Sequence, residues 1–136
     1  MTIQDMYHVQ PIKHATSSLE RWYNRLIAKG PEEMTDGDIL RSLRQGVFTD
    51  LAEKTLIVHL RADVFAGEMN DGELLESLAN MPSSIIAKYS EDVKEIVATA
   101  ESSVSQHEWC NQEEINNYLE SLAKIKKISQ NTQVHT

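Results

Sequence analysis

His107 and Cys110 stand three positions apart, a spacing that would set an imidazole and a thiol on one face of a helix. Such a pair supplies two ligands where a zinc site needs three or four. His8, His14, His59 and His135 are scattered without ligand spacing, so no metal is expected. Cys110 as a nucleophile would need a nearby base and an electropositive setting, and it lies in the most acidic stretch of the chain. Asp63, Glu68, Asn70, Asp71 and Glu73 crowd one segment as calcium ligands would. The D-x-[DN]-x-[DN]-G spacing and the closing bidentate glutamate of a calcium loop are missing. Asp71 reads better as a cap for a helix that begins near Glu73. Neighbouring carboxylates such as Glu91-Asp92 and Glu113-Glu114 point about 100° apart on a helix, so neither pair forms a facing acid and base. His59 lies on an apolar helical face and reads as a satisfied core histidine. Phosphate loops, dinucleotide fingerprints and nucleophile elbows are lacking in the sequence. Neither catalysis nor a cofactor is expected.

Charge is the stronger signal. Thirteen of the 21 carboxylates fall between Asp63 and Glu120, opposed there only by Lys88 and Lys94. That segment carries a net −11, while the rest of the chain carries +3. Such a surface repels nucleic acid and anionic membrane and attracts a cationic partner. Arg41 and Arg44 with Gln45 form too small a basic cluster to argue for nucleic acid; a buried salt bridge to Asp38 or a nearby carboxylate is the plainer role. Trp109 and Tyr118 flank Glu108, Glu113 and Glu114, the composition of an interface hot spot. The alternative places Tyr118 in a core stripe and leaves only Trp109 exposed.

These residues need helices to position them. Ser17-Ser18-Leu19-Glu20 matches a capping box, and Leu19, Trp22, Tyr23, Leu26 and Ile27 follow on one helical face. Gly30-Pro31 ends that helix. Thr35-Asp36-Gly37-Asp38 caps a second, with Ile39, Leu40 and Leu43 inward and Gly46 at its end. Residues 48–64 are predicted to be a helix with apolar residues on several sides, hence central and buried. Residues 66–72 are a loop, Gly67 and Gly72 being free to take positive φ. Leu74, Leu75 and Leu78 begin a short helix that ends near Met81-Pro82, and Ile85, Ile86 and Tyr89 add a turn or two. Ser90-Glu91-Asp92-Val93 starts the next helix, with Val93, Ile96, Val97, Ala100 and Val104 inward. Ile115, Tyr118, Leu119, Leu122, Ile125 and Ile128 stripe the last one. Residues 1–16 read as an N-terminal extension without a clear period, and 131–136 as a polar tail. The fold class is all-α: one domain over 1–136, an irregular bundle of about six or seven short helices. At 136 residues with 40% hydrophobic content, the chain can bury about two thirds of its unfolded surface.

Three pieces together resemble a family of bacterial contact-dependent growth inhibition immunity proteins. The first is Leu19-x-x-Trp22-Tyr23. The second is Met34-Thr-Asp-Gly-Asp38-Ile-Leu-Arg41-Ser-Leu-Arg44-Gln45. The third is Leu60-x-x-Asp63-x-Phe65-x-Gly67-Glu68-x-x-x-Gly72-Glu73-Leu74-Leu75-x-x-Leu78. Val64 stands where proline is expected after the aspartate, and residues 81–136 carry no matching motif. The resemblance implies a cytoplasmic protein that binds the C-terminal toxin domain of a large secreted adhesin and blocks it by stoichiometric binding. The toxins differ across such a family, so shared residues such as Asp63, Gly67, Gly72 and Glu73 are expected mainly to hold the fold.

The chain is therefore expected to form a 1:1 complex with a cationic nuclease toxin, an RNase favoured, and to plug its active site. The expected contacts are Asp71, Glu73, Glu91, Asp92 and Glu95, together with Glu108, Trp109, Glu113 and Glu114. The rival reading is an acidic helical adaptor for another basic protein; a third is a metal enzyme built on the acidic loop at 63–73. The single cysteine allows no intramolecular disulfide, which suits a reducing cytoplasm. The first residues lack a basic region followed by an apolar core, so no signal peptide is expected.

Overall fold

The computed structural model describes the backbone of residues 1–134 and the side chains of residues 1–130. Among the described residues there is no strand. They form α1 (Ile3–Tyr7), α2 (Ser18–Ile27), a 3-10 turn (Pro31–Glu33), α3 (Asp36–Gln45), α4 (Thr49–Ala62), α5 (Glu73–Ala79), α6 (Ser83–Lys88), α7 (Ser90–Ser103) and α8 (Gln112–Val134). The all-α expectation holds. The count of eight helices exceeds the expected six or seven because the N-terminal stretch contributes α1. Helix α8 is long, at 23 residues, and it runs through positions 131–134 of the expected polar tail; positions 135 and 136 lie outside the described residues. The chain clusters into two compact units, residues 1–55 and the remainder from Leu56 onward.

In the first unit, Ser17 and Glu20 make the capping box that starts α2. Trp22, Leu26 and Ile27 are buried, whereas Leu19, at the edge of the same stripe, is 37% exposed. Residues 1–16 are tied down to α2 and the segment after it. Ile3 is fully buried and its amide donates to the carbonyl of Lys29 at 2.8 Å. Asn24 grips Ile12 through both its amide and its carbonyl, at 2.8 and 3.0 Å. Hydrophobic periodicity misses this segment because its anchors are single residues and backbone groups. Thr35 caps α3 with Asp38 in a second capping box, and Gly46 closes that helix in the left-handed region at φ 68°.

Asp38 is the polar centre of this unit. Its Oδ1 accepts the Trp22 indole N–H at 3.0 Å, and Oδ2 accepts Lys29 Nζ at 2.7 Å and the Thr35 amide at 3.1 Å. The ion pair expected between Asp38 and an arginine is thus made by Lys29 instead. Arg41 lies over the Trp22 ring, 5.1 Å from its centroid, in a cation–π contact. Arg44 is exposed.

In the second unit α8 packs against α5, α6 and α7. Leu74, Leu75 and Leu78 from α5, Ile86 from α6, Val93, Ile96 and Ala100 from α7, and Tyr118, Leu122 and Ile125 from α8 are buried, with Leu56 and Leu60 of α4. Helix α4 keeps apolar residues buried on several sides but exposes Val58 at 58%. The loop between α4 and α5 turns on two glycines for different reasons. Gly72 sits at φ 87°, and a Cβ there would lie 2.6 Å from the Tyr118 ring. Gly67 does not adopt positive φ; a Cβ would strike the carbonyl oxygen of Asn70, so close backbone approach demands the glycine.

Candidate functional site

The loop from Asp63 to Glu73 is built by its own carboxylates. Asp63 Oδ1 accepts the Phe65 amide at 2.9 Å. Glu73 Oε1 accepts the amides of Met69 and Asn70 at 2.5 and 2.7 Å. Glu73, expected to contact a partner, therefore holds the loop. Asp71 does not cap α5, whose first turn has no side-chain cap. Its Oδ2 lies 2.8 Å from His107 Nε2 instead.

Residues 104–111 form a link between α7 and α8 rather than a helix, so His107 and Cys110 do not share a helical face. His107 stacks on Phe65 with centroids 3.9 Å apart, and Cys110 is exposed. Trp109 meets Phe65 edge-on at 5.4 Å and Tyr118 at 5.1 Å. Its indole N–H donates to the Val104 carbonyl at 3.1 Å, leaving the ring half-buried. Tyr118 is buried, and its hydroxyl donates to the Val64 carbonyl at 2.8 Å. The second of the two readings of this aromatic pair holds for Tyr118, while Trp109 is less exposed than either reading supposed. Aromatic contacts across the 63–73 loop, the 104–111 link and α8 fix the loop in place.

The remaining expected contacts fall into two groups, with Glu108 apart from both. On α7, Arg61 pairs with Asp92 at 2.8 Å and also with Glu95. Glu91 faces Lys94 at 3.5 Å. Glu108 is exposed on the 104–111 link. Asp71, Glu113 and Glu114, by contrast, converge on a cavity of about 250 Å³ whose wall also includes Asn70, Glu76, Asn111 and Asn117. A second cavity of about 200 Å³ continues it, sharing Glu76 and Asn117 and adding Asn80, Glu120 and Lys124. Together they make one polar groove between α5 and α8.

Glu76, Glu120, Asn80, Asn111 and Asn117 were not anticipated. A signal was present: Glu113, Asn117, Glu120 and Lys124 recur at i, i+4, i+7 and i+11, one polar face of a helix. Asn111 also starts α8, its Oδ1 accepting the Glu114 amide at 2.8 Å. Among the described residues no three of His, Cys, Asp and Glu gather as metal ligands would. No helix among them is long and apolar enough to cross a membrane. The arrangement offers hydrogen-bond acceptors and negative charge, which suits binding a cation.

Residues 5–96 match the family model described as CDI immunity proteins. No curated protein matches the chain.

Proposed function

The chain belongs to the CDI immunity proteins, and from that membership we propose that it neutralises a cognate toxin by binding a cationic active site with its acidic surface. The toxin is the C-terminal domain of a large adhesin effector, and the two form a 1:1 complex in the bacterial cytoplasm. Protection comes from stoichiometric occlusion, not from catalysis. The toxin chemistry that fits is that of a nuclease, an RNase favoured, because a site that holds phosphates must be cationic and an acidic protein can take their place. Neither nucleic acid nor membrane fits a chain with −8 net charge.

The observation that carries this reading is the gathering of thirteen carboxylates between Asp63 and Glu120. Complementary fields raise encounter rates toward about 10⁸–10⁹ M⁻¹s⁻¹ at low salt, a benefit to an inhibitor that must reach its toxin before damage accumulates. Residues of the shared motifs supply the frame: Asp38, Trp22 and Arg41 in the first unit, and Asp63, Gly67, Gly72 and Glu73 in the second. Contacts with one particular toxin are then left to the acidic surface. The test is co-purification with the C-terminal domain of the adhesin encoded beside this chain, followed by rescue of cells expressing that domain. Rescue together with a stable complex supports the proposal. A domain that neither binds nor is neutralised would overturn it.

A further inference from the structure

One histidine fastens the 104–111 link to the 63–73 loop. His107 Nε2 lies 2.8 Å from Asp71 Oδ2, its ring stacks on Phe65 at 3.9 Å, and the Trp109 ring meets it edge-on at 4.5 Å. The loop falls within the residues matched to the family, and the link lies beyond them.

An imidazole held in this way makes two different contacts according to its charge. Neutral, it gives Asp71 a single hydrogen bond and Phe65 an ordinary ring stack. Protonated, it pairs with the Asp71 carboxylate through a charge-assisted bond about twice as strong. It also sets a cation over the negative face of the Phe65 ring. Histidine changes its charge between about pH 5 and 8, so the strength of this fastening follows pH across that range.

The charges around the ring are nearly all negative. From the loop, Asp71 faces the imidazole directly, Asp63 and Glu73 are turned to loop amides, and Glu68 is exposed. From α8, Glu113 and Glu114 line the cavity that Asp71 also lines. Tyr118 on the same helix stays neutral, its phenol being pushed well above the ordinary 10.0 by burial and then by Asp63. The link adds Glu108 and Cys110, both exposed. On α7, Glu101 is paired with Lys126, so the one cation near these groups is already taken up. Burial opposes a charged ring, but the His107 side chain keeps 22% and Asp71 49% of their surface open to water, which limits that cost.

We propose that His107 and Asp71 form a proton-controlled latch, in which protonation of the imidazole tightens the hold of the 104–111 link on the 63–73 loop. The extra hold is complete at low pH, where the imidazole is charged in folded and unfolded chains alike, and is lost as pH rises through the histidine range. What the latch positions is the stretch that carries Glu108, Trp109 and Cys110 between α7 and α8. It operates whatever partner the acidic surface takes.

A double-mutant cycle in urea denaturation tests the latch, using the wild-type chain, His107→Gln, Asp71→Asn and the double variant. It is run at about pH 8.5 and again at about pH 5.5, where ordinary carboxylates remain ionised. Glutamine keeps a neutral donor at position 107 and so isolates the charge. The coupling between the two positions, read as a ratio of unfolding constants, should be at least about threefold larger at the lower pH, within the range of exposed ion pairs. Equal coupling at both pH values overturns the latch and leaves a plain hydrogen bond. A second measurement needs only the exposed Asp71→Asn change and no unfolding. The proton affinity of the His107 ring, followed by its NMR resonances, should fall at least about threefold in that variant, the same coupling seen from the proton's side. An unchanged proton affinity overturns the proposal independently of any effect on stability.

Discussion

At single positions the fold rests on a few buried polar groups, and their titration makes them testable. Burial acting alone would raise the Asp38 carboxyl, but the hydrogen bonds from Lys29, Thr35 and Trp22 outweigh it and hold it below the ordinary 3.8. Its stabilisation is therefore complete above that value and is lost as pH falls through the folded-state value. Asp38→Asn should cost about 2–3 kcal/mol in urea denaturation at pH 7, and the deficit should shrink as both proteins are acidified below pH 4. Tyr118 behaves oppositely. Burial, and then the charge of Asp63, push its phenol well above the ordinary 10.0. The stability tied to the neutral phenol is complete below pH 10 and is lost as pH rises past it, because the unfolded chain releases the proton first. Tyr118→Phe should cost about 1–2 kcal/mol at pH 7, since it leaves the Val64 carbonyl unpaired, and should flatten the loss of stability above pH 10. Gly72→Ala combines positive φ with a clash against the Tyr118 ring, so a loss of at least about 2 kcal/mol in the same denaturation assay is expected.

Among the elements, helices were legible wherever a cap and an apolar period coincided. Ser17 with Glu20 and Thr35 with Asp38 mark the starts of α2 and α3 in the sequence, and both capping boxes form. The 63–73 loop could also be read as an acid-built structure, though the roles of two acids changed places: Glu73 secures loop amides and Asp71 meets His107. No local pattern could foresee that exchange, because His107 is 36 residues away in sequence. Arg61 was hidden for the same reason, reaching Asp92 and Glu95 over 31 and 34 residues. Arg61→Gln should change stability by less than about 1 kcal/mol, as exposed ion pairs usually do. Asp92 and Glu95 are already paired with Arg61, so unmasking them should leave toxin affinity within about threefold in calorimetry; a large gain would mark α7 as a docking surface. The groove itself was half visible. Asp71, Glu113 and Glu114 were named from charge alone, whereas Glu76 and Glu120 required knowing that α5 lies along α8.

For the molecule as a whole, the decisive quantity is electrostatic. A net −8 with the carboxylates gathered in one part of the chain creates a field that acts before any contact forms. Affinity then depends on a few desolvated groups, so encounter and holding are separable. Reversing charge at Glu91, Asp92, Glu95, Glu113 and Glu114 together should slow association, with the greatest effect at low salt. The most direct single measurement is the association rate of the wild-type chain with its neighbouring toxin domain, followed by stopped flow as ionic strength is raised. Steering by carboxylates predicts a steep fall from fast association at low salt toward the about 10⁵–10⁶ M⁻¹s⁻¹ of unsteered encounters. A rate that stays flat across that range would contradict it, because a partner that ignores salt is not being drawn in by charge.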